Sequence, residues 1–124
     1  MEINDFYSKT IQQIDFEDKQ TDENEKYGIY RVPTNAGCIE FVKIHKETIY
    51  KPHIHDKASE KFIFLTGTGK VILDKVLLDY YPGFECDAPA GVKHGFIQKE
   101  ETIFLSIQSN PIQDRTTGEI DIRY

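Results

Sequence analysis

Short apolar runs, each closed by turn-forming residues, follow one another along most of this chain and restrict the folds open to it. Between residues 27 and about 107, no run has the length and periodicity of a helix. The segments that separate the runs are rich in Gly, Pro, Asn and Asp, as at residues 33–37 and 89–91. Such a succession of short strands is typical of an all-β sandwich or barrel and argues against an α/β fold.

Three regions follow from this pattern: residues 1–26, a β-barrel at residues 27–109, and a tail at residues 110–124. No internal repeat is visible, so we predict one barrel domain. The predicted strands are residues 27–32, 38–46, 50–55, 61–66, 70–73, 76–80, 85–88, 94–98 and 102–109.

The two flanking regions carry weaker patterns. Apolar residues recur at helical spacing near the start and predict a short amphipathic helix over residues 5–14, with Asn4 as its N-cap. Its apolar stripe would cover either the outside of the barrel or a partner subunit. Residues 15–26 are acidic and polar, which indicates a solvated arm or an edge strand exchanged in a dimer. In the tail, residues 119–124 alternate polar and apolar and would form an edge strand or pack on a partner subunit.

Three of the four histidines lie in two short segments that together suit a metal ion. His53 and His55 are two residues apart, so in an extended strand they point to the same side. Glu60 begins the next apolar run and His94 follows the turn at residues 89–91. Three imidazoles and one carboxylate suit a divalent transition metal, and on an octahedral ion they leave two positions open. Open positions are typical of a catalytic site rather than a structural one.

These segments resemble the two sequence motifs of the cupins. The first motif matches from His53 to Gly67, and the second matches from Gly83 through Pro89 and Gly91 to His94. Two positions depart from the pattern, because Glu47 stands in place of the leading glycine and Gln98 in place of the closing asparagine. Neither position carries a metal ligand in that family.

The resemblance implies a double-stranded β-helix, the cupin jelly-roll barrel. It also implies that His53, His55, Glu60 and His94 bind one divalent metal, which would be Fe, Mn, Ni, Zn or Co. Cupins of this size commonly dimerise, so a homodimer is expected. The resemblance does not select a reaction, because cupins host many chemistries.

Strand parity predicts the wall of a pocket beside the metal. Phe62 and Phe64 share the face of Glu60, and Phe96 shares the face of His94, although these rings would equally serve as barrel core. Further pocket candidates are Lys51, Cys86 and Gln98. Lys51 would neutralise an anionic substrate or keep its amine in water, and Cys86 would be a pocket thiol or a small core residue.

Three functions fit these features. The first is a mononuclear oxygenase acting on a small polar metabolite. The second is a metal-assisted isomerase, epimerase or lyase acting on a sugar or keto acid, with Glu60 as the base. The third is a non-catalytic barrel that binds a small ligand.

Charge and hydropathy restrict the partners. The 15 basic and 21 acidic residues give a net charge of −6, whereas binding to nucleic acid requires a basic face. No apolar run has the length of a membrane-spanning helix, and the first residues lack a signal-peptide pattern. We therefore expect a small-molecule partner, no nucleic acid, no membrane and a cytoplasmic location.

Overall fold

Nine strands and no helix are found in the parts of the chain that the structure, a computed structural model, describes: residues 14–22, 25–33 and 37–124. Apart from its last residue, the helix predicted for residues 5–14 lies outside these ranges. The strands are β1 (Glu17–Asp22), β2 (Glu25–Pro33), β3 (Cys38–Ile44), β4 (Glu60–Thr66), β5 (Gly69–Leu73), β6 (Val76–Tyr80), β7 (Glu85–Ala88), β8 (His94–Gln98) and β9 (Thr102–Gln108).

The strands form two antiparallel sheets. The larger has the order β1-β2-β3-β9-β4-β7 and the smaller the order β6-β5-β8. After β4 in the larger sheet, the chain forms β5 and β6 in the smaller sheet, β7 in the larger, β8 in the smaller and β9 in the larger. The chain therefore crosses repeatedly between the two sheets. This architecture confirms the all-β class, and it is the arrangement expected of a double-stranded β-helix.

One predicted strand, at residues 50–55, is wrong. Only two isolated bridges form there, from His53 to His94 and from Ile54 to Arg123. The two residues pair with different segments, so no continuous ladder develops. Pro52 also lacks the amide hydrogen that a ladder requires. The segment therefore joins β8 to the C-terminal tail instead of extending either sheet.

The core lies between the two sheets and is largely aromatic. The rings of Phe64 and Tyr80 stack at 4.1 Å, and those of Phe96 and Phe104 approach to 4.8 Å. Both sheets contribute to one continuous cluster, which consists of Val42, Ile44, Phe62, Phe64, Val71, Tyr80, Ala88, Phe96 and Phe104. Burial of this apolar surface is the main term that stabilises the fold.

A second apolar cluster lies around Leu65 and Ile103, which alternate with the main core residues along β4 and β9. Ile14 and Phe16 pack against it, so the residues just before β1 cover part of the larger sheet. Strand β1 pairs with β2 of the same chain, and the segment considered as an arm or an exchanged strand here forms the sheet edge.

The turn after β4 requires glycine. Gly67 has a φ of 90°, a conformation that residues with a Cβ rarely adopt. A Cβ there would lie 2.4 Å from Thr102 Oγ1 and 2.6 Å from the carbonyl oxygen of Glu101. The close approach explains why a glycine ends the first motif of the sequence.

No helix of the described ranges has the length and apolar character needed to cross a membrane. On the smaller sheet, Val76, Leu77 and Ile97 are exposed. The homodimer and the cytoplasmic location expected from the sequence stay predictions.

Candidate metal centre

Three imidazole rings converge at one end of the barrel interior. His94 is the first residue of β8, and paired backbone hydrogen bonds of 2.9 Å hold it against His53. His55 lies two residues after His53. The three rings are buried, with centroids 4.7 to 4.9 Å apart, and offer ligand nitrogens within 4.8 Å of one another. The three histidines are therefore positioned to bind a metal ion.

Backbone carbonyl groups select the same tautomer for all three rings. The Nδ1 atoms of His53, His55 and His94 lie 3.0, 2.6 and 3.3 Å from the carbonyl oxygens of Lys51, Asp121 and Val92. A carbonyl oxygen only accepts, so each Nδ1 carries the proton and donates it. Each Nε2 is left with its lone pair, which is the form in which imidazole binds a metal.

Glu60 brings a buried carboxylate to the same point. Its Oε2 accepts a hydrogen bond of 2.6 Å from Ser106 Oγ. Its Oε1 lies 2.7 Å from His55 Nε2 and 3.4 Å from His94 Nε2. With both rings neutral and protonated at Nδ1 this oxygen has no hydrogen-bond donor among the described residues, whereas a doubly protonated His55 donates to it through Nε2. A carboxylate oxygen among nitrogen lone pairs requires a cation between them, either a proton or a metal ion.

The ionisation states of Glu60, His55 and His53 agree with the need for a cation at this point. Burial alone would raise the pKa of Glu60, but hydrogen bonding with His55 and His94 outweighs it and holds that pKa below its usual range. Burial likewise opposes protonation of His55, whereas hydrogen bonding and attraction by Glu60 raise its pKa overall. Burial, with repulsion by His94, lowers the pKa of His53 to about 4. At neutral pH the imidazole of His53 is therefore neutral, and the carboxylate of Glu60 is ionised.

The donor set fits one divalent metal. Three Nε2 lone pairs and the unpaired Oε1 of Glu60 form a mixed nitrogen and oxygen set that first-row transition ions accept. All four side chains predicted as ligands therefore lie at one point, although they come from three separate segments. The role of Glu60 as ligand or base stays a prediction.

A cavity of about 300 Å³ opens beside this cluster, and His53, His55, Glu60 and Tyr50 form its floor. The larger sheet supplies Ile29, Arg31, Glu40, Val42, Phe104 and Ser106. The tail supplies Ile112, Gln113, Ile120 and Ile122. The wall therefore combines apolar side chains with an ion pair and several neutral polar groups.

A chain of polar contacts connects the ion pair of Arg31 and Glu40 to Glu60 in the histidine cluster. Arg31 contacts Glu40 Oε2 through Nε at 2.8 Å and Nη2 at 2.7 Å. Gln108 Nε2 donates to Glu40 Oε1 at 2.5 Å and to Ser106 Oγ at 3.3 Å. Ser106 in turn donates to Glu60. Every link has a donor and an acceptor, so the network holds Glu60 in one orientation.

The structure places three of the aromatic residues considered for the pocket wall in the core, the alternative role that the sequence left open to them. Phe62, Phe64 and Phe96 are at most 3% exposed, belong to the main core, and do not line the cavity. Phe62 approaches the site most closely, with its ring 5.6 Å from that of His94. Parity placed these side chains on the interior face, where they pack against one another between the two sheets.

The other three predicted pocket residues also lie away from the cavity. Lys51 is exposed, with Nζ 5.8 Å from the ring centroid of Tyr124. Cys86 packs against the core, where burial and the neighbouring Asp87 raise its pKa to about 11, so its thiol is protonated at neutral pH. Gln98 Nε2 donates to backbone carbonyls of the loop that precedes the first motif, including that of Thr48 at 2.5 Å.

Several residues of the site were missed from the sequence, although three of them left a signal. Glu40 is a charged residue on the buried face of β3, which alternates buried and half-buried from Cys38 to Ile44. Ser106 and Gln108 occupy the same kind of position in β9. Polar groups at apolar positions of a strand need buried partners, and they indicate a polar site inside the barrel.

These features define an all-β barrel with a polar, histidine-rich cavity at one end. No protein-family model matches the chain, and no curated protein sequence is significantly similar to it. Solved structures, however, are clearly similar in fold. An RmlC-like cupin from Shewanella frigidimarina has a TM-score of 0.65 at 19% identity, with 85% of this chain and 88% of that chain covered.

Two further structures extend the comparison. A proposed sugar phosphate isomerase from Acidithiobacillus ferrooxidans has a TM-score of 0.72 at 18% identity, covering 91% of this chain and 86% of that one. A predicted oxalate decarboxylase from Thermotoga maritima has a TM-score of 0.68 at 14% identity, covering 80% and 95%. The chain therefore has the cupin fold, the double-stranded β-helix, as the two motifs indicated.

Replacing Ser106 with alanine should weaken metal binding by about tenfold, since loss of a group that orients a ligand typically has an effect of this size. The variant leaves Glu60 Oε2 without its donor while the strand is unchanged. Competition with a chelator would measure the affinity. Ser109→Ala is the matched control, because Ser109 is exposed and contacts Ser59 and Asn110. Equal affinities of the two variants would contradict this role of Ser106.

Metal binding should weaken as the pH falls below neutrality. The raised pKa of His55 means that this ring holds an extra proton in the metal-free protein at mildly acidic pH, and the metal must displace it. His53, with a pKa of about 4, releases none in that range. Calorimetry in buffers of different ionisation enthalpy should detect more proton release on metal binding near pH 6 than near pH 8. Equal proton release at the two values would contradict the assignment.

Proposed function

We propose that the protein is a mononuclear metal-dependent enzyme that transfers a proton within a small polar metabolite, as an isomerase or a lyase does. The observation that carries this proposal is the buried Oε1 of Glu60, which faces the Nε2 atoms of His55 and His94 and, with these rings in the neutral Nδ1-protonated form, has no hydrogen-bond donor. A bound divalent ion satisfies it, and leaves coordination positions for a substrate.

The cavity supports a polar substrate. Its wall includes the ion pair of Arg31 and Glu40 together with Gln113 and Ser106, and these groups match hydroxyl, carbonyl or carboxylate groups of a ligand. Phe62, Phe64 and Phe96, the rings considered for the wall of an oxygenase pocket, belong to the core, while Tyr50 and Phe104 line the cavity. The similarity to a proposed sugar phosphate isomerase and a predicted oxalate decarboxylase supports the same choice.

In this proposal four side chains of the site bind the metal. His53, His55, His94 and Glu60 would hold the metal, which when bound would polarise a carbonyl or hydroxyl oxygen of the substrate. The lowered pKa of Glu60 makes it a weak base, which favours the role of ligand.

Tyr50 is our candidate for the proton-transfer group. It lines the cavity, and its ring centroid lies 5.3 Å from that of His53.

The first test is elemental analysis of untagged protein purified without chelators, with a His55→Ala variant as control. We expect about one equivalent of a divalent transition metal in the wild type and a large loss in the variant. Wild-type protein that neither contains nor takes up a metal would rule out the proposal.

The second test concerns the reaction. Small sugar phosphates and keto acids are incubated with metal-loaded protein in deuterated water, and exchange at carbon is followed by NMR. Tyr50→Phe should abolish exchange and keep the metal. Dioxygen uptake with iron-loaded protein would favour the oxygenase instead, and tight ligand binding without turnover would favour a non-catalytic barrel.

A further inference from the structure

The C-terminal strap, which we define as residues 112–124, lines the cavity and contacts the histidine cluster directly. Its backbone pairs with the segment that carries the first two histidines. Ile54 N donates to the Arg123 carbonyl at 2.7 Å, and Arg123 N donates to the Ile54 carbonyl at 3.0 Å. The side chain of Arg123 also contacts both carboxylate oxygens of Asp56, at 2.9 and 3.0 Å.

Asp121 forms the main attachment of the strap. Its carboxylate accepts hydrogen bonds from three consecutive backbone amides, those of Asp56, Lys57 and Ala58, at 2.8, 2.9 and 3.0 Å. These amides belong to the turn between His55 and β4. One side chain therefore fixes both the strap and the turn that separates two of the metal-binding residues.

The backbone of Asp121 acts on the cluster itself. Its carbonyl oxygen accepts from His55 Nδ1 at 2.6 Å, the shortest of the three contacts that set the imidazole tautomers. The carbonyl partners of His53 and His94 come from residues two positions earlier in their own segments. The partner of His55 instead lies 66 residues away and is supplied only when the strap is in place.

The strap also forms one wall of the cavity. Ile112, Gln113, Ile120 and Ile122 all line it, opposite the larger sheet. A displaced strap would thus change the histidine geometry and remove that wall of the binding cavity at the same time.

We propose that the strap is required for metal binding, with Asp121 as the residue that positions His55. Docking of the strap and binding of the metal then stabilise each other, because linkage between two equilibria is reciprocal. The inference rests on the proposed function insofar as it requires a bound metal. It adds that the affinity of the site is set by a segment outside both sequence motifs.

The test compares Asp121→Ala with Asp114→Ala in the full chain. Asp114 lies in the same strap, and its carboxylate likewise accepts from two backbone amides, those of Thr116 and Thr117, but it has no contact with the cluster. We expect Asp121→Ala to weaken Co²⁺ binding about tenfold and Asp114→Ala to leave it unchanged. Asp121→Asn keeps one acceptor oxygen and should recover part of the affinity.

Two further readouts separate positioning from general stability. The visible absorption bands of bound Co²⁺ report the ligand field, and they should shift in Asp121→Ala alone. Hydrogen exchange of the amides of residues 56–58 should slow when wild-type protein binds the metal, and should be fast with or without metal in Asp121→Ala.

The outcomes are distinct. Wild-type protein that binds no metal would overturn the proposed function and the coupling with it. Wild-type protein that binds Co²⁺ with the same affinity and spectrum as Asp121→Ala would overturn the strap inference alone. An equal loss of affinity in Asp121→Ala and Asp114→Ala, with no spectral shift, would also overturn it, because the effect would then be general destabilisation.

Discussion

Replacing His94 with alanine should weaken divalent-metal binding by at least about tenfold while the barrel remains folded. Removal even of a group that only orients a ligand typically costs this much, and loss of the ligand itself costs more. The fold survives because the backbone of residue 94 keeps its paired hydrogen bonds to His53 and its place in β8. Metal affinity by chelator competition and thermal unfolding of the metal-free protein would measure the two effects.

His45→Ala is the matched control. His45 is the histidine outside the cluster, with a side chain 40% exposed and 3.8 Å from Glu101. The His45→Ala protein should bind the metal with the same affinity as the wild type. Unfolding of the metal-free His94→Ala protein would contradict the prediction, since the imidazole would then be essential to the fold rather than to the site.

Replacing Phe64 with alanine should lower the free energy of unfolding by about 3–5 kcal/mol, the range for truncation of a buried phenylalanine. Phe64 is 0% exposed and stacks on Tyr80, with three further aromatic rings within 6.1 Å. The loss leaves a cavity that the surrounding strands cannot close. Because Phe64 does not line the cavity beside the histidines, metal affinity should be unchanged. Denaturant unfolding and chelator competition measure the two quantities.

Phe84→Ala is the comparison variant, since Phe84 is half-buried at the edge of the same cluster and should cost less. If Phe64→Ala lowers stability too far for measurement, Phe64→Leu keeps most of the volume and should have a smaller effect of the same sign. A Phe64 variant with near-normal stability and altered ligand affinity would contradict the core role of this residue and indicate that it contributes to the pocket.

Strand positions were predictable where the local pattern is strong. Residues 76–80, 85–88 and 94–98 form strands with the predicted ends, because turn residues bound each apolar run. The segment at residues 50–55 has a similar composition and forms no strand, since its pairing partners are β8 on one side and the C-terminal tail on the other. Pairing depends on neighbours in space, which local composition does not contain.

The pocket was harder to predict than the metal cluster. Parity assigns Phe62 and Phe64 to the interior face of β4, and the structure agrees. Whether an interior side chain faces the cavity is a separate question. Phe62 and Phe64 are opposite Ser106 and Phe104 of β9, which line the cavity, but both rings are core residues. The rings of Phe96 and Tyr80 from the smaller sheet pack against them, and parity along one strand does not specify such contacts.

Local sequence patterns and long-range contacts therefore explain different features of this protein. Local patterns were enough to predict the all-β class and the residues that could serve as metal ligands, because turn chemistry and side-chain alternation act over a few residues. The surroundings of those residues depend on long-range packing. Ser106, Glu40 and Arg31 reach the site across strand pairs, and Asp121 reaches it from the far end of the chain. Such contacts follow from packing the whole chain, so no short stretch of sequence specifies them.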